Sequence, residues 1–313
     1  MAVMLNPTIA VIASYVTEFV FCVPNMLQLG ESIQASFSTG HGGKGFNMAV
    51  ASHLAGAKVN VIMKVGLDVF GEAAIRRLTD LGLPTDGVYQ TSDAPSGAGV
   101  VLLIPSGANA IALDPGANHA LNFAEIDASH NTIQMSNILL ASMEVLPNVI
   151  QHAFSIARAR DVTTILNPAP VPNRPLEPTL LTVTDILTPN ESEAQALTGI
   201  PLTSDSSVTE AAAQLLNLGV KAVVMTLGAR GAYYTTGKTS GFVPAPQVKA
   251  VDTSGAGDAF NGGLAVALAE GQDLPAAVSF AIALSTLKVT RRGTSSAMPT
   301  RHEIESFRRQ KAI

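Results

Sequence analysis

Val251-Asp252-Thr253-Ser254-Gly255-Ala256-Gly257-Asp258-Ala259-Phe260-Asn261-Gly262-Gly263 is the densest feature of the sequence. Small residues at 254–257 precede a helical stretch that runs into Leu264–Leu268. Glycines at such a place let backbone N–H groups converge on an oxyanion, and a helix N-terminus adds positive potential. Asp258 is expected in the first turn of that helix, beside the anion site. A carboxylate there can accept a proton from a hydroxyl while the amides hold a phosphoryl group. General-base help of this kind is worth roughly 10²–10⁴-fold, and a preorganised anion hole a similar factor or more. A plainer reading is open from these residues alone: Asp258 as an acidic first-turn residue, with Gly255 and Gly257 as turn glycines.

Upstream of this stretch, short β-rich runs alternate with helical ones. Thr8–Ala13 reads as a buried first strand, Asn47–Ala57 as a helix, Val59–Val65 as a strand and Val69–Leu81 as a helix. Strands at Asn137–Ala141, Thr163–Leu166, Asp185–Leu187 and Ala222–Thr226 follow, with a helix from about Pro147 to Arg160, and helices dominate from Ala256 onward. This alternation predicts an α/β fold with a mostly parallel sheet covered by helices on both faces. Two segments break the pattern. Val16–Thr39 and Gly97–Leu113 read as extended chain without helices, the second as a hairpin around Pro105-Ser106-Gly107. They are expected to form a small β-layer beside the main sheet, as a lid or a dimer contact. Two extra strands on the main sheet are the alternative.

Composition narrows the function classes. The chain has 313 residues, a net charge of -5, 14% charged and 47% hydrophobic residues. That is too acidic and too sparsely charged for a nucleic-acid binder, and too apolar for disorder. Cys22 is alone, so no internal disulfide or thiolate zinc site is expected. The apolar run Ile9–Leu27 is interrupted by Glu18 and Pro24, and no Lys or Arg precedes Lys44. It reads as strands, not as a signal or membrane span, and a soluble cytoplasmic protein is expected.

Three further motifs stand out. Gly40-His41-Gly42-Gly43-Lys44-Gly45-Phe46-Asn47 matches G-x-G-x-x-G and opens a helix. A dinucleotide reading is available, but the loop lies well past the first strand, and Lys64 stands in the strand where an acidic partner is expected. The loop more readily approaches a polar ligand, with Lys44 and Asn47 as donors. Thr188-Pro189-Asn190-Glu191-Ser192-Glu193 is good helix-start chemistry, and Asn190 with Glu193 could equally place a hydrated Mg²⁺. Thr226-Leu227-Gly228-Ala229-Arg230-Gly231 follows a strand with a Gly-rich backbone suited to lie against a nucleotide. No Walker A motif occurs; Gly237-Lys238-Thr239 comes nearest.

Taken together and in this order, these motifs and Asn167-Pro168-Ala169-Pro170 resemble the ribokinase-like (phosphofructokinase B type) carbohydrate kinase family, nearest its ribokinase and deoxyribokinase members. The likeness spans nearly the whole chain as a single domain over residues 1–313, with lid segments at about 16–40 and 97–114. It implies a three-layer α/β/α fold with a β lid, and transfer of a phosphoryl group from ATP to the terminal hydroxyl of a pentose or deoxypentose. Asp258 would be the base, and the amides of Gly255, Ala256 and Gly257 the anion hole. Gly43, Lys44, Asn47 and Glu144 would hold the sugar. Asn190, Thr226, Gly228 and Gly231 would line the ATP site, and Asn190 and Glu193 would place Mg²⁺ through water. Asp252, with carbonyls near Ser254 and Gly293, resembles the family's monovalent-cation site for K⁺, although the side-chain ligand near Ala297 is not preserved. A homodimer through the lid is implied.

One departure bears on the substrate. The family's Gly-Ser-x-Asn-x-Asp pattern after the first strand is here Ala13-Ser14-Tyr15-Val16-Thr17-Glu18. Val16 replaces a sugar-binding Asn, and Glu18 keeps a carboxylate one methylene longer. Val16 cannot pair with a hydroxyl, and an unpaired buried hydroxyl costs roughly 1–3 kcal/mol. The sequence therefore predicts a sugar other than plain ribose. Another carbohydrate or a nucleoside is the alternative within the family; an NAD-dependent oxidoreductase and a non-catalytic sugar sensor are alternatives outside it.

Overall fold

A computed structural model describes residues 7–105, 109–171 and 175–311. The chain runs β1 (Thr8–Ile12), β2 (Val16–Cys22), β3 (Ser36–Gly42), α1 (Lys44–Leu54), β4 (Lys58–Gly66), α2 (Val69–Asp80), β5 (Val88–Thr91), β6 (Gly97–Leu103) and β7 (Asn109–Asp114). Next come α3 (Phe123–Ala128), α4 (His130–Gln134), β8 (Ile138–Ser142), α5 (Pro147–Arg158), β9 (Thr163–Asn167), α6 (Pro178–Thr182), β10 (Ile186–Leu187), α7 (Glu191–Thr198), α8 (Asp205–Asn217) and β11 (Ala222–Thr226). The strands β12 (Ala232–Thr235) and β13 (Ser240–Val243) precede α9 (Ala256–Ala269), α10 (Leu274–Lys288) and α11 (Arg301–Lys311).

Among the described residues, nine strands form one sheet in the order β13-β12-β11-β10-β9-β8-β1-β4-β5. Every pairing from β11 to β5 is parallel; β12 and β13 add an antiparallel edge. Strand β1 shows why the sheet must be covered twice. Ile9 and Val11 point into one apolar cluster, with α1, α9 and α10; Ala10 and Ile12 point into the other, with α5, α6 and α8. All four are fully buried. The unbroken apolar run is what a strand covered on both faces requires. Each fully buried Ile or Val contributes about 1.5–3 kcal/mol relative to exposure.

The second expectation is met as well. Strands β2, β3, β6 and β7 form a separate four-stranded sheet in the order β3-β2-β6-β7, which excludes extra strands on the main sheet. β6 and β7 pair antiparallel from Ala98–Asp114 to Leu103–Asn109, while Ser106 and Gly107 of the expected turn lie outside the described residues. No helix among the described residues is long and apolar enough to cross a membrane. The parallel strands β1, β8, β9, β10 and β11 all end on one edge, where open α/β sheets bind ligands. Their last residues and the segments that follow carry Ser14, Glu144, Asn167, Asn190 and Gly228.

Candidate active site

The helix α9 starts at Ala256, with Gly255 as its N-cap at φ 73°. A left-handed residue at this point turns the chain sharply into the helix, and glycine takes that conformation without steric cost. The N–H of Ala256 donates back to the Thr253 carbonyl at 3.2 Å. Helix geometry leaves the N–H groups of Gly257 and Asp258 without intrahelical acceptors. Of the three amides expected to form an anion hole, that of Gly257 is therefore better placed than that of Ala256. Asp258 lies in the first turn, as expected, and is only 5% exposed. Its Oδ2 accepts a hydrogen bond from Asn47 Nδ2 at 2.8 Å. Burial pushes the Asp258 carboxyl above the usual aspartate range, while the Lys44 charge and the Asn47 hydrogen bond pull it back.

The glycine loop brings Lys44 and Asn47 to this carboxylate. Helix α1 begins at Lys44 and packs on the end of β1, where the Phe46 N–H donates to the Ser14 carbonyl at 3.0 Å. Glu144, just past β8, accepts from Ser14 Oγ at 2.6 Å and from the Lys44 N–H at 2.8 Å. The Lys44 ammonium is held above its usual pKa chiefly by Asp258, then by Glu144 and Glu193. Asn47 is buried; its NH₂ is engaged by Asp258, and its Oδ1 has no partner. An orphaned buried acceptor beside a candidate base is suited to a ligand hydroxyl. The dinucleotide reading of this loop is overturned by position. Gly40 and Gly42 belong to β3 of the small sheet, not to a turn after β1. Lys64 is spent on Glu125, at 2.7 Å.

The small sheet reaches the same place. Glu18 pairs with Gly40 and Gly99 across the small sheet, and its side chain faces the main body. Its Oε2 accepts from Thr294 Oγ1 at 3.2 Å. A Cβ on Gly42 would lie 2.2 Å from Glu18 Oε1, so glycine there makes room for the carboxylate. Burial raises the Glu18 pKa; the Thr294 hydrogen bond lowers it, and Asp258, Asp252 and Glu144 raise it further. Val16 is buried on the same face of the small sheet, opposite Gly42 and Gly97.

On the other side of α9 lies a cavity of about 400 Å³. Asn190, Thr226, Gly228 and Gly231, the four residues expected to hold a nucleotide, all line it. Ala256 and Gly257 also line it, so it reaches the amides expected to form the anion hole. The far wall is Ala245, Pro246, Val248 and Ala250 facing Ile282, Thr286 and Val289, none of which carries a recognisable motif. Asn190 caps α7 in a capping box: its N–H and Nδ2 donate to the two oxygens of Glu193, each at 2.8 Å, and Glu193 N–H returns to Asn190 Oδ1. The helix-start reading of this motif is thus realised. Glu193 is only 5% exposed, and its pKa is raised by burial.

Residues 6–301 match the family described as pfkB family carbohydrate kinase. The chain belongs to that family. A ribokinase of Haemophilus influenzae is 34% identical over 304 residues, covering 97% of this chain and 99% of its own. A deoxyribokinase of Salmonella typhi is 34% identical over 300 residues, covering 96% and 97%. Among solved structures, an Arabidopsis thaliana ribokinase complexed with ribose and ATP superposes with a TM-score of 0.91 at 28% identity, over 97% of this chain and 99% of that one.

Hydrogen bonds among further residues of the quoted motifs hold this site of the pfkB kinase together. Thr188 Oγ1 donates to Asn261 Oδ1 at 2.6 Å, and Asn261 Nδ2 donates to the Gly257 carbonyl, tying the end of β10 to the first turn of α9. Asn167 holds the same strand end through the Thr188 carbonyl. Around Asp252, the carboxylate accepts the N–H groups of Ser254 and Gly293, each at 2.9 Å. The carbonyls of Asp252 and Ser254 face Lys288, whose Nζ donates to both. The residues expected to hold a monovalent cation are therefore together, but an ammonium of the protein sits among them. In the sequence Lys288 shows only as the single charge of the apolar run Ala276–Val289.

Proposed function

We propose that the protein transfers the γ-phosphoryl group of ATP to the terminal hydroxyl of a pentose or deoxypentose. One observation carries this reading: Asp258 stands between the cavity ending at Gly257 and the polar cluster of Asn47, Lys44, Glu144 and Glu18 under the small sheet. A donor phosphate on one side and an acceptor hydroxyl on the other would meet at this carboxylate. The mostly apolar far wall of the cavity suits a purine, and its inner end suits the phosphates, which the N-terminus of α9 would attract. Asp258 accepts the proton of the attacking hydroxyl, and Gly257 and Lys44 receive the negative charge of the group in flight. Phosphoryl transfer needs this positioning and charge neutralisation more than covalent help. The lid carries Glu18 over the sugar and excludes water, which limits loss of ATP to hydrolysis.

Among the described residues no group of three His, Cys, Asp or Glu could cage a metal. Asn190 and Glu193 offer only oxygens already oriented by their mutual bonds, a set that fits a hydrated Mg²⁺ carried by the nucleotide. When bound, Mg²⁺ neutralises phosphate charge. Val16 is the residue that points away from ribose and toward a 2-deoxy or otherwise substituted pentose. The outer face of the small sheet, with Phe37 55% exposed, stacked on Phe19 and tilted against Phe21, is taken to pack against a second copy. The expected setting is the cytoplasm. A coupled assay of ADP release with a panel of pentoses, deoxypentoses and nucleosides tests the reading. A kcat/KM for D-ribose at or above that for 2-deoxyribose and the other sugars would refute the substrate assignment, and no sugar-dependent ADP release would refute the function.

A further inference from the structure

We propose that the Lys288 ammonium is a tethered cation that orders the Asp252–Gly255 loop, so that the anion hole of this enzyme works without a bound monovalent cation. The residues that resemblance assigns to potassium do not fit the ion here. Lys288 Nζ donates to the Asp252 carbonyl at 3.0 Å and to the Ser254 carbonyl. Both Asp252 carboxylate oxygens are already taken by the N–H groups of Ser254 and Gly293. Ala297, buried in the following turn, has no side-chain oxygen to add. A potassium ion at these carbonyls would meet an ammonium already bonded to them, and two cations do not share one pair of carbonyls.

The surrounding fold makes this a built feature. Lys288 is the last residue of α10 and is fully buried. A cation at a helix C-terminus is favoured by the exposed carbonyl dipoles. The next carbonyl, that of Val289, accepts the N–H groups of Val251 at 2.8 Å and Asp252 at 3.1 Å. The end of α10 and the loop leading into α9 are thus fastened at several points. The ammonium supplies the positive charge among backbone carbonyls; burial lowers the Lys288 pKa, and the Asp252, Asp258 and Glu18 carboxylates oppose that by favouring the charged form. Lys288 acts through the loop, two residues before Gly257, and is a positioning residue.

The proposal rests on the kinase reading for its activity arm, so the experiment adds a readout that does not. Wild-type full-length protein is assayed with tetramethylammonium, sodium, potassium or ammonium as the only monovalent cation at constant ionic strength, and its melting temperature is measured in the same buffers. Wild type is expected to show the same kcat and the same melting temperature in potassium as in tetramethylammonium. Lys288→Ala, which empties the carbonyl cradle, is expected to lose kcat on the order of 10²-fold, the scale of a misplaced reacting group. Potassium and ammonium, but not tetramethylammonium, should restore part of that loss and raise the variant's melting temperature. Lys288→Met, which fills the space without charge, should fold, stay slow and ignore potassium. Saturable potassium activation of wild type would overturn the proposal. So would a folded Lys288→Ala or Lys288→Met variant with wild-type kcat, or a folded Lys288→Ala variant that responds to no cation. If wild type phosphorylates no sugar, the function has failed, and the cation-selective melting temperatures of wild type and Lys288→Ala still decide the tethered cation.

Discussion

Replacing Asn47 by Leu should move the acidic limb of the kcat–pH profile upward. Asn47 Nδ2 lies 2.8 Å from Asp258 Oδ2, and both residues are about 5% exposed or less. The bond stabilises the ionised carboxylate, since only a donor is presented to it. A hydrogen bond to a charged group contributes about 1.5–3 kcal/mol, and about 1.4 kcal/mol corresponds to a tenfold change in a proton equilibrium. Loss of the bond should therefore shift the limb up by about one to two pH units. The sign is set by the chemistry: Asp258 works as a base only when ionised, burial already raises its pKa, and removing a favourable donor raises it further. Leu conserves bulk, so packing around the site changes little. The assay is steady-state ADP release at saturating ATP and sugar across pH, which places any loss of sugar affinity in KM. Activity should fall away at low pH and approach a plateau at high pH. A kcat lowered equally at every pH, with the limb where wild type has it, would refute the reasoning. Lys44→Met, which removes the largest charge stabilising the Asp258 carboxylate, should shift the limb in the same direction.

Gly42→Ala would place a Cβ 2.2 Å from Glu18 Oε1 and push that carboxylate away. The sugar KM should rise by about tenfold, the loss of one hydrogen bond, with little change in melting temperature; a large drop in stability with unchanged KM would contradict this. Val16→Asn restores a donor and acceptor facing the sugar, and should raise kcat/KM for D-ribose relative to 2-deoxyribose by about five- to tenfold; an unchanged ratio would remove Val16 from the specificity account. Phe37→Asp places a charge on the outer face of the small sheet, the proposed dimer contact, and should give monomers by light scattering after size exclusion, whereas a variant that elutes as wild type would exclude that face as the contact.

The parallel strands were legible because each is a short run of β-formers bounded by turn residues, as in Ala222–Thr226, whose limits the structure reproduces. The small sheet was legible for the converse reason: Val16–Thr39 and Gly97–Leu113 hold no helical spacing and break the alternation, although only the structure decides between a separate layer and extra strands on the main sheet. Asp258 and Gly257 stood out because charge is sparse and the glycines mark a helix start. Other parts left no local trace. The wall from Ala245 to Ala250 lines the cavity mainly with apolar side chains and carries no spacing rule. The bond between Glu18 and Thr294 joins residues 276 apart in sequence. The short helix α3 had a signal that went unread, the capping box of Asn122 and Glu125. Lys288 was hidden differently, since a lysine at the end of an apolar helix is ordinary until the carbonyls it meets are known.

Asp258→Asn tests the central claim most directly. The change keeps the shape and an acceptor for Asn47 Nδ2, and it removes only the ability to take a proton. With ATP and sugar affinities measured by calorimetry on the same preparation, kcat should fall by about 10²–10⁴-fold while both dissociation constants stay close to wild type. A variant that binds both substrates and turns over at near the wild-type rate would contradict Asp258 as the base.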